Sequence, residues 1–182
     1  MDELIDIYND KGITTGEVCL KSEAHKKGLL NASIHVWIFD KNTNILIQKR
    51  AANKDSCPNL WDISVAGHIS AGETPIISAL REVEEEIGLI LNKSQLDFFG
   101  TSKKRIVHRH DFIDIEIHYI YMCEIDFEIE SLIIQKEEVS EIDKIKLDDL
   151  VNRIDSKDSD FVPRENEYYN RIFKKIKNYH SL

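Results

Sequence analysis

A chain of 182 residues with a formal net charge of −9 at pH 7 is long enough for one sizeable core and short for two, so a single domain over 1–182 is expected. That acidity excludes a sequence-independent grip on DNA or RNA, which needs a basic face, but admits small phosphates, because a metal ion can supply positive charge locally. Cys19, Cys57 and Cys123 form no CxxC pair, the acidic opening "MDELIDIYND" lacks a signal-peptide pattern, and no apolar run reaches the length of a membrane span; reduced thiols, no membrane association and a cytoplasmic location are expected.

The chain opens with "LIDIY" and "TTGEVCL" around the turn-rich "NDKG", which predicts a hairpin within about 1–20. Two more strands are predicted at "IHVWIFD" (34–40) and "NILIQKR" (44–50), followed by a loop, "AANKDSCPNLWD", and a short extended "ISVAG". A helix comes next, with Thr74 as N-cap, Pro75 at its first position and Gly88 just past its end. "SKKRIVHRH" reads as a basic loop. "DFIDIEIHYIYMCEI" reads as a long strand, with Ile113, Ile115, Ile117, Tyr119 and Tyr121 on one face and Asp114, Glu116 and His118 on the other. Two helices are predicted within about 146–180; the stripe Tyr168, Tyr169, Ile172, Phe173 and Ile176 is expected to pack on its own domain. The class is α/β (α+β) with mixed strand order.

Along the central helix, Glu82, Glu85 and Glu86 fall at i, i+3 and i+4 on one narrow face, Ile76, Leu80, Val83 and Ile87 cluster elsewhere, and Glu84 points away from the trio. Three carboxylates on one face repel each other. Hard oxygen donors at this spacing suit Mg²⁺ or Mn²⁺ held against a substrate's phosphates. A solvated acidic face is the alternative from the helix alone.

The wider spacing runs Gly67, five residues, Glu73, seven residues, then Arg81-Glu82-Val83-Glu84-Glu85-Glu86-Ile87-Gly88-Leu89. This segment, 67–89, resembles the Nudix box, and the chain is identified as a member of the Nudix hydrolase superfamily. The resemblance implies a mixed sheet sandwiched between helices, a loop–helix–loop at the box, and Mg²⁺- or Mn²⁺-dependent hydrolysis of a small-molecule diphosphate. It implies Glu82, Glu85, Glu86 and the Gly67 carbonyl as metal ligands. Arg81 would hold the carboxylates, Glu73 would brace the loop and Gly88 would end the helix. The base that activates water varies in the superfamily; Glu138, Glu137 and Glu116 are the candidates here, with Glu138 preferred.

Outside the box, "AHKKGLLNASIHVWIFD", "ILIQKR", "WDISVAGHISAGE" and "QKEEVSEI" resemble the branch related to isopentenyl-diphosphate isomerase. His25 and His35 resemble that enzyme's metal-binding histidines, a possible second metal site, and His68 follows Gly67 as a histidine does there. The isomerase needs a cysteine just before that glycine, where this chain has Ala66. Arg50, Lys54 and Glu116 are candidates to meet the substrate, as are the bases of the 103–109 loop. Isoprenoid diphosphates come first as substrate and nucleoside di- or triphosphates second; an isomerase and a non-catalytic metabolite sensor are the competing classes. Many members dimerise, so a homodimer is one expected assembly.

Overall fold

The computed structural model describes residues 2–179; Met1 and residue 180, the outer limits of the expected hairpin and C-terminal helices, lie outside the described residues. In chain order the elements are β1 (Leu4–Tyr8), β2 (Thr14–Leu20), α1 (Lys21–Lys27), β3 (Asn31–Phe39), β4 (Asn44–Arg50), β5 (Trp61–Asp62), β6 (Val65–His68), α2 (Pro75–Ile87), β7 (Asp97–Arg109), β8 (Phe112–Glu124), β9 (Val139–Lys146), α3 (Leu147–Asp155) and α4 (Asn166–Lys177). The class is α+β, with a mixed sheet and four helices among the described residues. The chain divides into two compact units, Met1–Val36 with Ala66–Glu82 and Leu91–Met122, and Trp37–Val65 with Val83–Ile90 and Cys123–Leu182.

In the first unit β1 and β2 pair antiparallel, Leu4 opposite Leu20. Their turn forms because the Asn9 side chain accepts from the backbone N–H of Lys11 and of Ile13, the local bond that makes Asn a turn residue. Ile5, Ile7 and Ala24 bury themselves together, with Cys19 and Leu29 against them. Helix α1 was not expected. It has about two turns, no side-chain cap at its start, and it ends at Gly28 in the left-handed region, φ 61°.

Strand β3 begins three residues before the predicted Ile34 and is buried throughout. Its first part lies beside β8, and β8 pairs with β7. The expected basic loop at 102–110 is therefore corrected: Ser102 to Arg109 continue β7, Lys103 opposite Ile117, Lys104 opposite Glu116 and Arg105 opposite Ile115. The ladder with β8 satisfies this backbone, and bases on both faces of β7 hide the alternation that would have announced a strand.

In the second unit β4 is central, pairing antiparallel with β9 from Asn44 opposite Lys146 to Arg50 opposite Val139, and with β5 through Gln48 opposite Asp62. Strand β9 was also unexpected. Trp37 is buried among Tyr168, Tyr169 and Phe173 of α4 and donates Nε1–H to the Tyr168 hydroxyl at 3.0 Å. All five apolar positions of the α4 stripe are buried, so the stripe packs on its own unit as expected.

Helix α2 starts where its punctuation says, with the Ile77 and Ser78 amides bonded to the Thr74 carbonyl. It ends at Gly88, φ +69°, where an added Cβ would stand 3.0 Å from the Ile133 carbonyl oxygen. The backbone of the following strap closes on this helix end, Ile133 N–H to Ile87 O and Gln135 N–H to Glu86 O, both at 3.0 Å. Gly88→Ala is therefore expected to destabilise the fold by about 1–2 kcal/mol through the left-handed backbone alone, read as a lower denaturation midpoint in urea.

Candidate active site

The loop and first turns of α2 form a tight ionic assembly in the first unit. Arg81 donates Nη1–H to Glu82 at 2.8 Å, Nη2–H to Glu73 at 3.1 Å, and further bonds to the Ser70 hydroxyl and the His68 carbonyl. Ser78 donates its hydroxyl to Glu73 at 2.6 Å. Burial pushes the Glu73 carboxyl up, but the bonds from Arg81 and Ser78 outweigh it and hold it below the usual carboxylate value. Burial works against the Arg81 charge; Glu73 and Glu82 outweigh it and raise the guanidinium pKa. Glu73 thus ties loop to helix through Arg81.

Glu82 lies directly over Gly67. A Cβ built on Gly67 would fall 2.2 Å from the Glu82 carboxyl carbon and 2.5 Å from each of its oxygens. No side chain fits there. Glycine lets the Glu82 carboxylate come onto the backbone, so the Gly67 carbonyl and a carboxylate, both hard oxygens, belong to one small region.

Further along α2, Glu84 and Glu85 are exposed and Glu86 is buried, 3% accessible, accepting from Gln48 Nε2 at 3.0 Å. A carboxylate this buried needs a compensating charge or strong hydrogen bonds. In the first unit, the Glu82 carboxylate and the Gly67 carbonyl are hard oxygen donors of the kind that divalent ions such as Mg²⁺ or Mn²⁺ take.

Also in the second unit, Lys54 pairs with Glu138, whose carbonyl accepts from the Ala51 N–H at 3.0 Å. Glu137 next to it is exposed. Arg50 bonds the Ser56 carbonyl at 3.1 Å and lies 3.5 Å from Asp62, which Arg164 grips from its other oxygen. Two guanidinium groups share one buried carboxylate, leaving this corner with an excess positive charge. Arg164 had not been singled out in the sequence, because nothing near it in the chain announces its partner.

The histidines sort differently from the expected pair. His25 of α1, His68 at the end of β6 and Glu116 of β8 bring one ligand atom each within 4.8 Å of one another. His68 Nε2 is 3.3 Å and His25 Nε2 4.0 Å from Glu116 Oε1. His25 Nε2 is buried without a hydrogen-bond partner. His35 instead stacks on His118, ring centroids 4.1 Å apart, and is not in the converging set. Burial, then the nearby His68, pulls the His25 pKa down, which favours the neutral imidazole that metals take as a ligand. Burial pushes the Glu116 carboxyl up, but His118 and His68 beside it outweigh this and hold it well below the usual value. It also accepts from the Ser33 hydroxyl at Oε2, 3.1 Å, and its Oε2 lies 3.2 Å from His118 Nε2.

The NUDIX domain family matches residues 29–165, so the chain belongs to that family, and it is an enzyme of the Nudix hydrolase class. Nudix hydrolase 3 of Arabidopsis thaliana is 35% identical over 181 residues, 97% of this chain and 23% of that protein; this chain thus spans under a quarter of that relative. An uncharacterized Nudix hydrolase of Clostridium acetobutylicum is 35% identical over 159 residues, 86% of this chain and 76% of the other. At lower identity, 30% over 158 residues and 84% of each chain, comes isopentenyl-diphosphate Delta-isomerase 2 of Photorhabdus laumondii. In fold, a Deinococcus radiodurans crystal structure matches with a TM-score of 0.70 at 18% identity, covering 93% of this chain and 98% of that one. No helix among the described residues is long and apolar enough to cross a membrane.

Proposed function

We propose that the protein is a hydrolase of a small organic diphosphate that depends on a divalent metal, and that Glu82, Glu85, Glu86 and the Gly67 carbonyl would hold that metal. The observation that carries this reading is the Glu82 carboxylate, tied by Arg81 and seated where Gly67 has no room for a Cβ. A solvated acidic face needs neither the arginine clamp nor the missing side chain. When bound there, Mg²⁺ or Mn²⁺ neutralises diphosphate oxygens and acidifies the attacking water.

The chain's own residues do the rest. Arg81 keeps the Glu82 carboxylate oriented through a charge-assisted bond. Glu138, ion-paired with Lys54, takes the proton from water. Lys54 and Arg50 give the second unit the positive charge that a diphosphate seeks. Glu138→Gln is expected to lower kcat by about 100-fold or more with KM little changed; Glu137→Gln, exposed beside it, is expected to leave kcat within about twofold. Steady-state kinetics checks both.

Isoprenoid diphosphates are the first substrate class, supported by the likeness to an isopentenyl-diphosphate isomerase, with nucleoside di- or triphosphates second. Hydrolysis rather than isomerisation is supported by Ala66, which has no proton to give where that chemistry needs an acid. His25, His68 and Glu116 would hold a second ion, Mn²⁺ or Zn²⁺ by donor type. Metal analysis tests this, with His25→Ala losing about one bound ion per chain. The hydrolase reading is tested by metal-dependent phosphate release from a panel of isoprenoid, nucleoside and sugar diphosphates.

A further inference from the structure

Gln48 is a polar side chain in an apolar strand. Its neighbours Ile45, Leu46 and Ile47 are buried, and Gln48 itself is 3% exposed. It lies at the centre of β4, opposite Asp62 on β5 and Ile142 on β9. The amide Nε2 donates to Glu86 Oε2 at 3.0 Å, and Oε1 is buried with no hydrogen-bond partner. Turning the amide over would set Oε1 against the carboxylate, so Glu86 fixes its orientation. A leucine or methionine would fill the same space in this strand without an unsatisfied oxygen.

We propose that Gln48 is a positioning residue for the metal carboxylates. It orients the buried Glu86 carboxylate through Nε2–H and offers Oε1 as an acceptor to the hydrated cation. The proposal rests on the reading above that Glu86 binds the metal. An amide suits this task because it donates a hydrogen bond without cancelling the carboxylate's charge. A lysine or arginine at the same place would neutralise Glu86 and compete with the cation. Glu86 is held from the backbone as well, since its carbonyl accepts from Gln135 N–H at 3.0 Å. Loss of a residue that hydrogen-bonds a ligating carboxylate typically costs roughly 10- to 100-fold in metal affinity.

The test is Mn²⁺ binding to the whole protein without substrate, read by electron paramagnetic resonance, in wild type, Gln48→Met, Gln48→Lys and Glu86→Gln. Gln48→Met is expected to weaken Mn²⁺ binding about 10-fold. Gln48→Lys is expected to weaken it further, and keeps the test usable if the methionine variant fails to fold, since its ammonium can pair with the Glu86 carboxylate. Wild-type affinity in either Gln48 variant, with affinity lost in Glu86→Gln, overturns the proposal while the metal reading stands. Wild-type affinity in Glu86→Gln overturns both.

Discussion

Glu85→Gln and Glu86→Gln are each expected to lower kcat by at least about 100-fold, as loss of a group that stabilises transition-state charge does, while Glu84→Gln stays within about twofold. All three substitutions remove one negative charge from the same helix, so net charge cannot explain a difference among them. What differs is direction: at 100° per residue Glu85 and Glu86 flank Glu82, and Glu84 lies nearly opposite. Accessibility alone would group Glu84 with Glu85, since both are exposed and Glu86 is buried. The kinetic grouping therefore separates ligand geometry from burial. Equal losses at all three positions would sink the geometric account, and circular dichroism of each variant verifies that the helix is intact.

Gly67→Ala is the second large effect. Its methyl group would fall 2.2 Å from the Glu82 carboxyl carbon, far inside van der Waals contact. Either Glu82 swings away, pulling on its 2.8 Å bond from Arg81, or the loop moves off the helix. A displacement of about 1 Å at such a site costs roughly 100-fold in rate. The expected result is a loss of that size in kcat/KM with weaker Mn²⁺ binding. Stability is expected to fall less than for Gly88→Ala, because Gly67 lacks the left-handed backbone that strains an alanine at position 88. Wild-type turnover in Gly67→Ala would mean that Glu82 does not act from where it lies.

The parts of the molecule legible in the sequence are those set by residues close together in the chain. Helix α2 follows its Thr74–Pro75 start and Gly88 stop to the residue, and β4 spans the predicted 44–50. The spacing of the box places Glu73, Arg81 and Glu82 within one loop and helix, so their mutual bonds follow from local geometry. Strand β7 was missed because its pairing partner, not its own composition, makes it a strand. Helix α1 was missed because seven residues without a side-chain cap leave little periodicity to count.

Sites assembled from distant segments were legible only in part. Resemblance pointed to His25, but its neighbours His68 and Glu116 come from other elements, and no spacing rule links residues 25, 68 and 116. Arg164 meets Asp62 across the same kind of chain distance. Gln48 did carry a signal, a polar residue on the buried run "ILIQ", although its meaning needed Glu86 beside it.

The central claim is metal-dependent diphosphate hydrolysis at the α2 carboxylates. It is tested most directly by phosphate release from isoprenoid, nucleoside and sugar diphosphates with Mg²⁺, with chelator, and with Glu85→Gln. The account predicts release from at least one substrate that stops with chelator and falls by about 100-fold or more in the variant. Tight binding of a diphosphate with no release, or release indifferent to Glu85→Gln, would contradict it.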